Sequence, residues 1–471
     1  MLFNSIAFFI FFPLVCLVYF LLPHRFRWVF LLVASYYFYM NWEPTYALLI
    51  FTSTAVTYVC GRLVEKYRDD KSRKKLFLIA NLAINLGILF MFKYYNFINN
   101  TVFEGLDYLG IHWPIPNFDI LLPVGISFYT FQAVGYSIDV YRGDIQAERH
   151  FGIYALFVSF FPQLVAGPIE RAKNLLAQFY VKHTFNYPRA VLGLRQMLWG
   201  FFMKLVVADR VSMYVNAAYN NAEQHTGTTL LLATVFFTFQ IYCDFAGYSN
   251  IAIGAARIMG FDLMENFRRP YFSTSMQQFW KRWHISLSTW FQDYVYIPLG
   301  GSRVKYGRHL FNLFVTFLVS GIWHGANWTF VAWGALHGTY LIVENVKTKY
   351  IGKSNTNNIV IMGFNILLCS VLAMAGWVFF RANSIGDGFK VLRKIFADHG
   401  ALFIDVTTIA YGLFGIFVLV IKDFIDEFYP EKHLLFDNRH VVVRWSLYIF
   451  ILAVILSCGV FDGGQFIYFQ F

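Results

Sequence analysis

HLFNLFVTFLVSGIWHGANWTFVAWGALHGTYLIV, residues 309–343, runs for 35 residues without an Asp, Glu, Lys or Arg. A span of the bilayer core takes roughly 20 predominantly apolar residues, so this stretch is long enough for two short spans, or for one span with a re-entrant piece. Similar charge-free runs occupy 1–23, 28–42, 44–61, 76–92, 150–169, 226–243, 354–380, 406–421 and 445–461, and the run 188–208 adds a candidate that tolerates Arg189, Arg195 and Lys204. About eleven membrane segments are expected, with 28–42 and 44–61 forming a hairpin broken at Glu43-Pro44. The mixed stretches 119–144 and 270–300 read as interfacial or re-entrant helices buried against the bundle.

Composition agrees with this reading of the runs. Of 471 residues, 58% are hydrophobic and only 14% charged, and aromatics reach 21% with 55 Phe and 30 Tyr. Soluble domains carry about 25% charged residues and cannot hide so much apolar surface. The expected class is an all-α integral membrane protein. The net charge of +11 comes from short basic loops such as 62–75 and 300–308, which read as cytoplasmic and place the N-terminus outside. No basic segment is long enough for a nucleic-acid-binding domain. Met1 to Pro23 has no basic n-region and reads as a first span rather than a cleaved leader. Five scattered cysteines without C-x-x-C spacing suggest neither disulfides nor zinc. Residues 1–461 read as one membrane domain and 462–471 as an aromatic tail.

Chemistry-bearing residues concentrate in three places. Gln277 to Gly301 spaces Gln277, Lys281, His284, Ser288 and Gln292 along one narrow helical stripe, opposite Phe279, Trp280, Trp283, Leu287, Trp290 and Phe291. One continuous helix with a polar seam is predicted, ended by Pro298-Leu299-Gly300-Gly301. The alternative is an interfacial anchor with its tryptophans at the headgroups. Within 309–343, His324 lies between Gly321 and Gly325, which leave room for a substrate or another backbone. An ionisable group inside a span is a functional candidate by default. His337 would lie about 140° from His324 on one straight helix, which argues against a metal pair. Asp244 interrupts an apolar run with Gln240 and Tyr248 at i−4 and i+4, so its own helix offers partners. Walker A, G-x-S-x-G, H-E-x-x-H and G-x-G-x-x-G sequences are missing, so the usual signatures of ATPase, serine hydrolase, zinc protease and dinucleotide enzyme are not present.

The segments FWKRWHISLSTWFQDYVYIPLGG and GIWHGANWTFVAWGALHG closely resemble the membrane-bound O-acyltransferase (MBOAT) family, in its bacterial branch of alginate and peptidoglycan O-acetyltransferase membrane subunits. MLFNS at the start, LPVGISFYTFQ at 122–132, FPQLVAGPI at 161–169 and YCDFAGYS at 242–249 extend the likeness over most of the chain. Gln292 stands where relatives often carry arginine.

The resemblance implies a ring of tilted helices around a central tunnel in a bacterial inner membrane. It implies catalytic roles for His324 and His284, with acetyl-CoA as acyl donor and no permanently bound cofactor or metal. It further implies an extracytoplasmic polysaccharide acceptor and an SGNH-type esterase or transferase partner. Lys281, Ser288, Asn327, Asp244 and Tyr248 are expected to line the substrate passage. Histidine, with a pKa near 6.5, suits the base that such a transfer needs. The last six residues fit F-x-Y-x-x-F, resembling the tail of the small membrane protein that serves teichoic-acid D-alanylation, so Tyr468 is expected to carry the acyl group. The other reading of that tail is an aromatic anchor at a span's end. Peptidoglycan is the alternative acceptor. The rival class is a transporter of a lipid-linked glycan, for which an inverted repeat should be visible; none is.

Overall fold

The computed structural model describes residues 1–111, 115–118, 122–165, 167–352, 358–461 and 467. Helix makes up 76% of the described residues, and there is no strand among them. Backbone N–H and C=O groups in lipid must be satisfied within their own segment, which helices achieve. The chain divides into two compact units: 1–193 with 252–264, and 194–251 with 265–471.

The first unit begins with α1 (Ile6–Leu21), α2 (His24–Met40), α3 (Ala47–Lys66), α4 (Lys71–Leu89) and α5 (Tyr95–Tyr108). It continues with α6 (Ile126–Arg142), α7 (Phe151–Ser159), α8 (Phe161–Leu164) and α9 (Ala172–Phe179). Polar side chains join α3, α4 and α6 in its core. Ser53 Oγ donates to Asn85 Oδ1 at 2.5 Å, and Asn81 Nδ2 donates to Ser137 Oγ at 2.7 Å. Such interhelical bonds hold helices together where lipid removes the hydrophobic drive for association. The expectation that 119–144 contains a helix buried against the bundle holds for α6, whose side chains are nearly all buried.

Two helices, α10 (Tyr187–Phe201) and α12 (Gly227–Met259), run through both units. Between them come a π-helical segment, Phe202–Ala208, and α11 (Asp209–Asn220). The second unit adds α13 (Met276–Trp280), α14 (Ile285–Phe291), α15 (Tyr306–His324) and α16 (Trp328–Tyr350). It closes with α17 (Ile359–Arg381), α18 (Ile385–Ala397), α19 (Val406–Phe428) and α20 (Val441–Cys458). α10 and α12 meet at Gly200 and Gly247, where a methyl group on either would come within 3 Å of the other's carbonyl oxygen.

Seven helical stretches among the described residues are long and apolar enough to cross a membrane, and α1 is a shorter apolar helix. This makes the chain a multi-pass membrane protein. α17 shows how such a helix is finished: Ile359, Phe364, Leu367 and Val371 are exposed along its lipid-facing length. The run 309–343 is divided, as its length allowed, into α15 and α16, but neither is among the seven. Asn312, Thr316, Ser320 and His324 in the one, and Glu344, Lys347 and Lys349 in the other, lower their apolar character.

Candidate active site

The stretch 277–301 is not the single amphipathic helix that its periodicity predicts. α13 stops after five residues, and His284 takes a left-handed backbone, φ +43° and ψ +54°, before α14 starts at Ile285. A non-glycine residue in that region is strained and persists only when its surroundings over-determine it. Asn266 supplies that constraint. Its carbonyl accepts from Ile285 N at 2.9 Å. Its Oδ1 lies 3.2 Å from Ser286 N, 2.9 Å from Ser286 Oγ and 3.1 Å from His284 Nδ1. Because the Ser286 amide can only donate, the atom it meets is the amide oxygen, so His284 Nδ1 carries the proton in that bond. Nε2 is thereby the ring nitrogen without the proton. Asn266 Nδ2 in turn donates to Ser249 Oγ at 3.1 Å.

The predicted seam dissolves accordingly. Lys281 is exposed, Ser288 Oγ donates to the Trp283 carbonyl at 3.1 Å, and His284 alone is fully buried. All six members of the aromatic side are buried inside the protein. A headgroup belt would leave them at the surface, so the interfacial-anchor alternative loses its basis. The turn after the stretch is as read, with Gly300 at φ +110° and Gly301 at φ +57°.

His324 is the last residue of α15 and is buried. It closes a buried stripe, Asn312, Thr316, Ser320 and His324, at i, i+4 spacing. The same i, i+4 polar spacing is visible in the sequence. The Trp323 indole lies 5.0 Å from the His324 ring and 6.2 Å from the His284 ring, so one tryptophan packs on both imidazoles. Trp333 and Phe380 enclose His324 at 4.9 and 5.3 Å.

The glycines around His324 make room for protein rather than for substrate. A Cβ on Gly325 would lie 2.1 Å from the Phe330 ring, and one on Gly321 would lie 2.3 Å from the Phe330 carbonyl. The chain breaks there, so the straight-helix angle between His324 and His337 does not apply. Instead, the two rings pack on the same Trp333, at 4.9 and 4.8 Å. Asn327 caps α16: its Oδ1 accepts from Thr329 N at 3.0 Å, and its Nδ2 donates to Asn383 O at 3.1 Å. Among the described residues, no three His, Cys, Asp or Glu side chains group as a metal site would require.

Asp244 finds its partners outside its own helix, contrary to the expectation that Gln240 and Tyr248 would satisfy it. Lys204 Nζ, from the π-helical segment, lies 2.6 Å from Asp244 Oδ1 and 2.8 Å from Asp209 Oδ1. The same ammonium stands 5.3 Å above the Tyr248 ring. π-Helical insertions are frequent at functional sites. The sequence shows Lys204 only as a charge tolerated in the run 188–208 and gives no local sign that it meets Asp209 and Asp244. The other oxygen, Asp244 Oδ2, accepts from the Ile467 amide at 2.7 Å, and Ile467 is buried. Next to Asp244, the Phe245 ring lies edge-on to His284 at 4.4 Å. Tyr468 itself lies outside the described residues.

The described residues thus form an all-helical, multi-pass membrane protein in which two buried imidazoles pack on one indole. The family model of the membrane-bound O-acyltransferases, MBOAT, matches residues 148–384. The chain is 38% identical to the probable alginate O-acetylase AlgI of Azotobacter vinelandii, over 84% of this chain and 78% of that one. It is 35% identical to the protein of the same name from Pseudomonas putida over the whole of both chains. It is 33% identical to the peptidoglycan O-acetyltransferase of Helicobacter pylori, over 85% of this chain and 80% of that one. The chain belongs to the MBOAT family and is an O-acyltransferase.

Proposed function

We propose that the protein takes acetyl from cytosolic acetyl-CoA and passes it across the bacterial inner membrane, for O-acetylation of an extracytoplasmic polysaccharide of the alginate type. His324 is the general base and His284 the second active-site imidazole, set along a tunnel through a ring of about eleven membrane segments. The observation that carries the reading is the shared Trp323, which puts both buried imidazoles around one point. An acyl thioester is already activated, so the enzyme has mainly to deprotonate a hydroxyl and hold it in line.

The first acceptor in this reading is the Tyr468 phenol. His324 takes the phenolic proton, the oxygen bonds to the acetyl carbonyl, the C–S bond breaks, and the CoA thiolate takes the proton back. A phenol has a pKa of about 10 and needs such a base at neutral pH. The resulting aryl ester has a good leaving group, suited to the nucleophile of an SGNH-type partner, which completes transfer to the glycan. The buried Ile467 amide on Asp244 supports this, since it ties the residue before Tyr468 to the helix whose next residue, Phe245, packs on His284. Kinship with a peptidoglycan O-acetyltransferase keeps peptidoglycan as the second reading of the acceptor.

The deciding experiment is Tyr468→Phe, which keeps the apolar tail and removes only the hydroxyl. Loss of glycan acetylation at normal protein level, with an acetylated C-terminal peptide by mass spectrometry in the unaltered protein, is the expected result. Full acetylation in the variant would send the acetyl group by another route.

A further inference from the structure

A cavity of about 530 Å³ lies beside the His324 segment, walled by the last turns of α11 and α17 and the first turn of α16. That volume falls within the ~300–1,000 Å³ of small-molecule sites. α15 begins next to the basic loop 300–308 and rises for 19 residues, roughly 28 Å at 1.5 Å per residue. Its His324 end, and the cavity with it, therefore lies at the face opposite the cytoplasmic loop.

The wall has a definite chemistry. Arg381 is the single charged residue lining it. Its Nη2 donates to Asn216 Oδ1 at 2.8 Å and to Asn220 Oδ1 at 3.0 Å, which uses both amide oxygens and leaves both NH2 groups as donors. Thr329 lines the same cavity, is 1% exposed, and has no hydrogen-bond partner for its hydroxyl. A buried hydroxyl without a partner is costly, and a ligand that supplies one removes the cost. Phe330 and Phe380 add apolar ring surface, and Phe380 also packs on the His324 ring. One cation, a surplus of N–H and O–H donors, and aromatic faces fit a ligand with a carboxylate, many oxygen acceptors and flat C–H faces.

We propose that this outer cavity binds a carboxylate-bearing sugar, a hexuronate residue of the glycan that is to be acetylated. Only its purpose rests on the transferase reading; the binding itself does not. Arg381 takes the carboxylate, the Asn216 and Asn220 amides and Thr329 take ring oxygens, and the two phenylalanines take the sugar's apolar face. The glycan is thereby kept at the outlet of the His324 site, where the acetyl group emerges.

The test uses the purified full-length protein in nanodiscs, with calorimetric titration of a hexuronate tetrasaccharide, a neutral hexose tetrasaccharide, an acidic peptide and sodium acetate. The hexuronate should bind at least tenfold more tightly than the neutral sugar. Arg381→Gln should lose at least tenfold. Since Arg381 also braces α11, Asn383→Asp provides a second variant: it adds a carboxylate at an exposed rim position and should weaken hexuronate binding severalfold in a protein that folds normally. Thr329→Val should weaken binding of both sugars. Equal affinity for the two sugars, preference for the acidic peptide, response to acetate alone, or no binding would each overturn the proposal. His324→Ala separates the two readings. Retained hexuronate binding without acetyl transfer supports both, whereas retained transfer would remove the catalytic assignment and leave the cavity result standing.

Discussion

His284 shows how much a single backbone angle decides. Its left-handed conformation turns the chain between α13 and α14 and delivers Nδ1 to Asn266, so the proton position follows from a side-chain amide 18 residues upstream. In the role proposed for His324, loss of a general base typically costs about 10²–10⁴ in rate. His324→Ala is therefore expected to leave protein level and membrane insertion intact and to abolish acetyl transfer to the glycan, measured on isolated polysaccharide. His284→Ala should lower acetyl-CoA turnover by the purified protein severely but less completely; turnover equal to the unaltered enzyme would make His284 a packing residue. A second histidine sets an acid limit. His183 lies in the loop before α10, with its ring against Phe261 and Nε2 2.9 Å from the Gln178 carbonyl. Burial first, then the charges of Arg189, Arg27 and His24, hold its pKa below the usual 6.5. The unfolded chain therefore takes up this proton first. The stability His183 contributes is complete above pH of about 6.5 and is lost as pH falls through its lowered folded value. His183→Gln should flatten the acid side of the melting-temperature profile, and an unchanged slope would assign the acid sensitivity to other groups.

At the scale of elements, hydrophobic runs were legible and breaks were not. The runs 44–61, 226–243 and 406–421, and 359–380 within the run 354–380, lie in long helices, because an uninterrupted apolar stretch has no better way to satisfy its backbone. The 277–301 stretch misled because its period is helical on both sides of His284, while the interruption comes from Asn266, remote in sequence. Asp244 misled for the same reason, since its partner Lys204 lies on a π-helical segment that no local pattern announces. The polar stripe ending at His324 is legible as an i, i+4 pattern; its burial and the shared tryptophan required three dimensions. Two substitutions probe these joints. Lys204→Met strands two buried carboxylates, and breaking a buried ion pair from one side costs about 3–5 kcal/mol, so the variant should be depleted from membranes or melt well below the unaltered protein. Gly325→Ala drives a methyl group into the Phe330 ring, and overpacking of this kind costs about 1–3 kcal/mol. It should lower the melting temperature and, by shifting His324, acetyl transfer as well.

For the whole molecule, the sidedness of the loops ties the chemistry to the membrane. Single cysteines placed in 62–75 and 300–308 should react only with reagents that reach the cytoplasm, and cysteines near Asn383 only with reagents added outside. Interchanged labelling would reverse the direction of transfer argued above, and labelling of both sets from one side would remove the opposite-face placement of the cavity. The α15–α16 hairpin carries a further consequence, for how the protein is made. Gly321 and Gly334 let its two helices close on each other, yet neither helix belongs to the seven that composition marks as able to cross lipid. A stripe of Asn312, Thr316, Ser320 and His324 has no place in a bilayer on its own. The translocon must therefore release the hairpin as a pair, and late, when more than 300 residues of the chain have already been threaded and can receive the polar face. The segment Tyr306–His324 alone, in a glycosylation-reporter fusion, should pass through the membrane rather than stay in it, while 306–350 should be retained. Assembly of this enzyme thus has an order: the helix that ends in His324 enters a membrane already furnished with protein.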